Sequence, residues 1–232
     1  MNEQTAERPV LRPVRPAALM ATGTLLLVGA AWLVRAVWEI RLAVTGEPAS
    51  GPPDQGGGSH RTLTSLEDSY HVVGAVGDIV VPFCAVAFLV WLWRVRDNAR
   101  TLSGRRPKYH GIWVYLGWIV PVVNLWVPRG LVADVHRASA PDRRLPPVLN
   151  VWWALWLIGM LSGVGLFYQD SRDEVIARAY TDVWQLLVSD AAVVGAAVAA
   201  VFVVRAVTAV QDEHAAGGPA SAAADGSAAE RV

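Results

Sequence analysis

The stretch VLNVWWALWLIGMLSGVGLFY, residues 148–168, holds 21 residues and no formal charge. A helix rises about 1.5 Å per residue, so about 20 apolar residues cross the hydrocarbon core of a bilayer. In lipid every backbone N–H and C=O needs a partner within its own segment, which a helix supplies. The stretch therefore predicts a transmembrane helix.

Three further apolar stretches have comparable length, and their boundaries fall near residues 17–44, 66–96 and 185–205. Hydrophobic residues make up 53% of the 232-residue chain, and eleven are tryptophan, which is unusual for a soluble domain. The sequence thus predicts an all-α fold, a polytopic integral membrane helical bundle over residues 16–210. A cytoplasmic leader, residues 1–15, would precede it, and a disordered tail, residues 211–232, would follow.

Residues 111–127 are also apolar, but Pro121 and Pro128 lie in or beside them. Proline lacks a backbone donor and interrupts a helix, so a straight span is marginal. Asn124 stands beside the break and could bond the carbonyls that Pro121 frees. Pro121, Asn124 and Pro128 therefore form a candidate site at the break. An amphipathic helix at residues 128–138 is predicted to follow, with its apolar face on the inner leaflet.

The distribution of Lys and Arg gives an independent test of topology, because short cytoplasmic loops accumulate them. If residues 111–127 enter and leave on one side, 15 of the 20 basic residues lie inside; if they span, 11 do. The count favours four full transmembrane helices plus a re-entrant or in-plane third segment, with five spans as the alternative. Both termini are then predicted to be cytoplasmic, in a multi-pass protein of the plasma membrane.

Four charged residues fall within or near the outer ends of predicted spans: Arg35, Glu39, Asp78 and Asp190. Charges at this depth are costly unless paired, and they often mark function. We expect Arg35 to neutralise Asp78 or Asp190 across helices, or Glu39 locally at i,i+4 spacing.

Small residues recur four apart in two spans, as Gly159 with Gly163, and as Ala191, Gly195 and Ala199. Such spacing lets helix backbones approach closely. It is compatible with packing inside one chain, and also with a homodimer or another membrane protein as partner. Two capping boxes, Thr64 with Glu67 and Ser171 with Glu174, predict helix starts.

Basic residues cluster on the predicted cytoplasmic side, where anionic lipid headgroups would attract them. The candidate lipid-facing residues are Arg94, Arg96, Arg105, Arg106, Arg129 and Arg137. The chain has equal numbers of acidic and basic residues, 20 each. It therefore lacks the excess of positive charge that is typical of a nucleic-acid-binding protein. The single cysteine, Cys84, excludes disulfides within the chain and cysteine-based metal sites. No cofactor is predicted.

The segments FLVWLWRVRDNARTL and GWIVPVVNLWVPRGLVADVHRAS resemble an actinobacterial membrane-protein family known as domain of unknown function 4328. Matching positions in the first segment are Trp91, Arg94, Arg96, Asn98 and Ala99. Those in the second are Trp118, Pro121, Asn124, Trp126, Pro128, Arg137 and Ser139. The resemblance covers about residues 70–205. It implies a multi-pass protein without a known activity, and it adds no catalytic residue.

Taken from the residues alone, the leading hypothesis is a non-enzymatic membrane protein that scaffolds or regulates partners or lipids at the inner leaflet. The alternative is a small transporter or channel subunit that uses the charged residues in its spans. Asp142, His136 and Ser139 are close in sequence, but they lack the order of a catalytic triad or a metal site.

Overall fold

The computed structural model describes residues 11–53, 61–104, 107–163 and 171–229, with Gly163 and residues 217–229 described by backbone alone. Within these residues every regular element is helical, which confirms the all-α class. The helices are α1 (Arg15–Thr45), α2 (Ser65–Ser103), α3 (Trp113–Ile119), α4 (Val127–Ser139), α5 (Val148–Gly163), α6 (Arg172–Thr181) and α7 (Val183–Ala229), with a 3₁₀ turn at Val123–Leu125.

Three helical stretches are long and apolar enough to cross a membrane: Arg15–Thr45, Ser65–Ser103 and Val183–Ala216. They contain three of the four predicted spans. The fourth prediction corresponds to α5, whose apolar part, Val148–Ser162, is shorter than a full span. The end of that predicted span, residues 164–168, lies outside the described residues.

Both capping boxes are present and set helix starts. The Thr64 hydroxyl accepts from the Glu67 amide at 3.3 Å, and the Glu67 carboxylate accepts from the Thr64 amide at 2.7 Å. Ser171 and Glu174 make the same reciprocal pair at 3.2 and 2.6 Å. These bonds satisfy amide donors that a helix N-terminus leaves open. The helix start that the Thr64 capping box predicts is confirmed, since α2 begins at Ser65.

The third apolar segment is broken into pieces. Helix α3 ends at Ile119, Pro121 occupies the following turn, and α4 begins after a single 3₁₀ turn. A Cβ added at Gly117 on α3 would lie 2.9 Å from a methyl carbon of Val127 on α4. The two short helices therefore pack closely as a hairpin, and residues 111–127 do not form one long helix.

Helix α4 differs from its prediction in what covers its apolar face. Leu131, Val132 and Val135 are buried within the chain, so this face is not available to lie on a leaflet. The break at Pro121 contributes, because it folds α3 back against α4, where a Cβ at Gly117 would lie 3.8 Å from Leu131. Arg137, on the predicted polar face, stays exposed.

The last helix also differs from prediction. Helix α7 continues to Ala229, through most of the tail that the sequence predicts to be disordered from residue 211. Alanine has the highest intrinsic helix propensity, and the segment after His214 is rich in it. Residues 230–232 lie outside the described part.

The chain divides into two compact units. The first comprises Met1–Met20, Phe88–Pro146 and Val204–Val232, and the second comprises Ala21–Ala87 and Pro147–Val203. In the second unit, five buried residues form an apolar cluster: Leu42, Tyr70, Ile176, Ala179 and Leu186.

Small residues bring α5 and α7 together within the second unit. A Cβ at Gly159 would lie 2.9 Å from Val193, and one at Gly195 would lie 3.0 Å from Leu155. The Ser189 hydroxyl also donates to the Gly159 carbonyl at 3.3 Å. These glycines thus serve packing inside one chain.

Candidate functional site

A cavity of about 630 Å³ opens in the first unit, where the end of α2, α4 and His214 of α7 line it. Its size falls within the usual range of small-ligand pockets. Four basic side chains stand in its wall: Arg96, Arg100, Lys108 and Arg137. Among its described lining residues, Asp134 is the single acidic one. We call this the basic cavity.

Local contacts fix part of this wall. Arg96 donates to the Tyr109 carbonyl at 2.9 Å, and its guanidinium lies 5.7 Å from the centre of the Trp93 ring. The Asp134 carboxylate accepts from the Lys108 backbone amide at 3.0 Å. The one acidic side chain of the wall therefore binds the backbone. Within the described residues, Arg100 and Arg137 form no ion pair.

The remainder of the wall is largely apolar, with Leu102, Leu131, Val135 and Pro141 among its members. A cavity lined by several cationic groups and several apolar side chains suits a ligand that has both an anionic and an apolar part.

The predicted lipid-facing arginines separate into distinct groups. Arg96 and Arg137 line the basic cavity. Arg94 instead donates to the Pro13 carbonyl at 3.2 Å, and Arg129 lies on α4 but not among the lining residues. Arg105 and Arg106 lie outside the described residues. Arg100 and Lys108 also line the cavity. They belong to the same basic run in the sequence, but the run alone does not show which of its members face a cavity.

A buried polar network stands behind this cavity and was missed in the sequence. The Gln211 side chain donates to the Val95 carbonyl at 2.7 Å and to the Ser139 hydroxyl at 3.0 Å. Asn98 donates to Gln211 at 3.3 Å and also bonds the backbone of Arg12. The network joins α2, α4 and α7. One turn before Gln211, Thr208 adds a further polar contact between α7 and α2, since its hydroxyl accepts from the Trp91 ring at 3.1 Å.

His136 on α4 is buried, and its Nδ1 atom has no hydrogen-bond partner among the described residues. Burial lowers its pKa from the usual value, and the positive charges of Arg143 and Arg137 lower it further. The imidazole is therefore neutral at neutral pH.

The residues of the predicted break do not line the basic cavity. Pro121 is exposed in its turn, and Asn124 is buried, with its backbone amide donating to the Val120 carbonyl at 2.8 Å. Pro128 lies in the first turn of α4, where a missing donor has no cost. They shape the hairpin that carries α4.

The second unit holds a buried cluster of ionisable groups on α1, α2 and α7. The Nε atom of Arg35 lies 2.9 Å from Glu39 and 3.5 Å from Asp190. The Tyr70 hydroxyl donates to Glu39 at 2.9 Å. Glu39 and Asp190 are 0% and 1% exposed. We call these four residues the Arg35 cluster.

Asp78 is not part of this cluster, although the sequence placed it near the same boundary. Its carboxylate is bound by Arg172, from the first turn of α6. Gly74, one turn before Asp78, leaves room for that side chain, since a Cβ there would lie 3.0 Å from the Arg172 guanidinium. Of the expected partners, the structure brings Glu39 and Asp190 to Arg35.

A second group of polar contacts centres on Glu67, which is fully buried at the start of α2. Arg61 donates to both of its carboxylate oxygens at 2.5 and 2.8 Å, and Tyr180 of α6 donates at 2.8 Å. The hydrogen bond to Glu67 raises the pKa of Arg61. Nearby, His71 and Asp173 lie 2.8 Å apart.

The comparisons with known proteins give one match. No curated protein and no solved structure matches the chain. The model of the family described as Domain of unknown function (DUF4328) matches residues 58–209, more than half of the chain. This range takes in most of α7, and it includes all the basic residues of the cavity and all but the α1 members of the Arg35 cluster. The chain therefore belongs to the family described as Domain of unknown function (DUF4328), as the sequence predicted.

Proposed function

We propose that the protein is a non-enzymatic, multi-pass membrane protein that binds anionic lipid headgroups in the basic cavity, on the cytoplasmic side of the plasma membrane. The observation that carries the proposal is a cavity lined by four cationic side chains together with several apolar ones. Such a cavity suits a phosphate group joined to hydrocarbon. Scaffolding or regulation of partners at the inner leaflet would follow from lipid occupancy.

The position of the cavity along the chain supports a lipid over a free anion. Arg96 and Arg100 lie near the end of α2, which is long and apolar enough to cross a membrane. The basic end of such a helix stands at headgroup level, where each Lys or Arg contributes about 1 kcal/mol of attraction to an anionic leaflet. The excess of basic residues in this part of the chain favours the cytoplasmic side.

The proposed topology has four spans, formed by α1, α2, α5 and α7, with the α3–α4 hairpin on one side of the membrane and both termini cytoplasmic. Helix α5 is the shortest of the four.

Lipid-dependent stabilisation tests the proposal. Purified protein in detergent is titrated with phosphatidylglycerol or with phosphatidylcholine of the same acyl chains, and the unfolding temperature is followed. A ligand that binds the folded state raises that temperature. We expect a larger rise with phosphatidylglycerol, and a loss of that difference at high salt.

The test variant carries Arg100→Gln together with Arg137→Gln, and the matched control is Arg205→Gln. Arg205 is exposed on α7 but does not line the cavity. Each neutralised cavity charge is expected to weaken phosphatidylglycerol binding by about fivefold, from about 1 kcal/mol per charge. Equal stabilisation by the two lipids would overturn the proposal, and so would an equal effect of Arg205→Gln.

A small transporter or channel subunit is the second candidate, and the Arg35 cluster is the observation in its favour. Charged groups buried between apolar helices are typical of ion and proton pathways. Proteoliposome flux assays with the wild type and with Asp190→Asn test this candidate. It requires the wild type to carry an ion or proton flux and the variant to lose it.

A further inference from the structure

The Arg35 cluster is out of charge balance. It contains one guanidinium and two carboxylates, so it carries a net negative charge if both acids are ionised. Glu39 and Asp190 are 0% and 1% exposed. Their helices, α1 and α7, are both apolar and long enough to cross a membrane. An uncompensated charge in such surroundings is strongly unfavourable.

The hydrogen bonds show which carboxylate oxygens of the cluster lack a donor. One oxygen of Glu39 accepts from Arg35 and from Tyr70. Its other oxygen and both oxygens of Asp190 accept no hydrogen bond from any described residue. Glu39 and Asp190 nevertheless approach the same atom, since the Nε of Arg35 lies 2.9 Å from Glu39 Oε1 and 3.5 Å from Asp190 Oδ1. Two carboxylates are both acceptors, and only a proton on one of them can join them.

We propose that Glu39 and Asp190 share one bound proton beside Arg35, and that this pair is a proton-binding site between α1 and α7. The proton makes the cluster neutral and allows one of two neighbouring acceptors to donate to the other. Arg35 and the Tyr70 hydroxyl both stabilise the ionised form of Glu39, so the proton resides on Asp190. Its release to water leaves both acids ionised and the cluster negative.

The titratable groups that face the pair come from three helices. Within the described residues they are Arg35 on α1 and Tyr70 on α2, together with Glu39 and Asp190 themselves. Ser189, next to Asp190, donates to Gly159 on α5 and is not available to the carboxyl pair. One cation and two acids therefore set the protonation of the site.

Infrared spectroscopy of the purified protein at neutral pH tests the proposal, since a protonated carboxyl has a carbonyl stretching band that an ionised one lacks. Exposed carboxyls are ionised at neutral pH. We expect the wild type to show the band of about one protonated carboxyl per chain. Either Asp190→Asn or Glu39→Gln should remove it, because the remaining acid then pairs with Arg35 and ionises.

The matched controls are Asp182→Asn and Glu47→Gln, two exposed acids of the same unit, and both should leave the band unchanged. Absence of the band in the wild type would overturn the proposal. So would its persistence in both cluster variants. If the wild type lacks the band and is stabilised by Na⁺ but not by K⁺, a metal cation and not a proton balances the pair.

Because the wild-type band needs no substitution, the test does not depend on whether the variants fold. Lipid titration and infrared measurement address different residues, so the proton site and the proposed lipid binding can fail separately.

Discussion

Arg35 on α1 lies 3.5 Å from Asp190 on α7, and both side chains belong to helices that are apolar enough to cross a membrane. The contact joins the first and last of these helices through a single guanidinium. Asp78, the other acid that the sequence offered to Arg35, is held by Arg172 instead.

Double variants test this pairing. Arg35→Gln leaves two buried acids without their cation, and we expect the free energy of unfolding to fall by about 3 kcal/mol. Adding Asp190→Asn should recover part of the loss, because one of the stranded acids is removed. Adding Asp78→Asn should recover nothing, because its exposed pair with Arg172 is worth at most about 1 kcal/mol. Thermal unfolding in detergent measures all four proteins, and equal recovery by the two acid substitutions would contradict the assignment.

The buried histidine of α4 predicts a pH dependence of stability. The pKa of His136 is lowered in the folded state, so the unfolded chain binds the proton more readily. This contribution to stability is complete at neutral pH and is lost as the pH falls through the unfolded value of about 6.5. The loss cannot exceed about 1.4 kcal/mol per pH unit.

His136→Leu should flatten this part of the stability profile, because leucine has no proton to bind. Unfolding temperatures between about pH 7.5 and about pH 5.5 give the comparison. His110→Asn, at an exposed position, is the control and should keep the wild-type slope. A slope unchanged by His136→Leu would show that other groups cause the pH dependence.

The α3–α4 hairpin depends on a glycine. At Gly117 an added Cβ would lie 2.9 Å from Val127, whereas at Gly23 on α1 nothing lies within 4 Å. Gly117→Ala should therefore cost about 1 to 3 kcal/mol through overpacking. Gly23→Ala should be neutral or stabilising, since alanine is the better helix former. Calorimetric unfolding of the two variants compares them, and a neutral Gly117→Ala would show that the hairpin opens easily.

The proposed topology predicts that the loop after α4 is cytoplasmic. A cysteine at the exposed Asp142, introduced with Cys84→Ala, should resist a membrane-impermeant thiol reagent in intact cells. One at the exposed Thr62, in the loop before α2, should react readily. Asp142 is the better reporter than its neighbour Ser139, because Ser139 is buried and bonded to Gln211. Labelling at Asp142 as fast as at Thr62 would exclude the re-entrant arrangement.

Local features of the fold were predictable from the sequence because they depend on neighbouring residues. The capping box of Thr64 and Glu67 gave the start of α2, and Pro121 gave the break between α3 and α4. The i,i+4 spacing of Arg35 and Glu39 also anticipated their contact. In each of these cases the partners lie within one or two turns of chain.

Contacts between helices were predictable only in part. Counting residues along a helix gives the depth of a charge but not the direction in which it points. The sequence therefore could not distinguish Asp78 from Asp190 as the partner of Arg35. It also did not predict that Arg172 of α6 pairs with Asp78. The Gln211 network escaped detection for a related reason: one amide in an Ala- and Val-rich helix looks like a boundary residue until its partners on α2 and α4 are known.

Glu67 ties three parts of the second unit to one carboxylate. It accepts from Arg61 in the preceding loop, from the amide of Thr64 and from Tyr180 on α6. Because Glu67 is fully buried, the loss of any one of these donors leaves a buried charge with fewer hydrogen bonds. The loop before α2 and helix α6 are thus both anchored to the start of α2 by the same carboxylate, and a movement of either one away from α2 removes a donor from a buried charge.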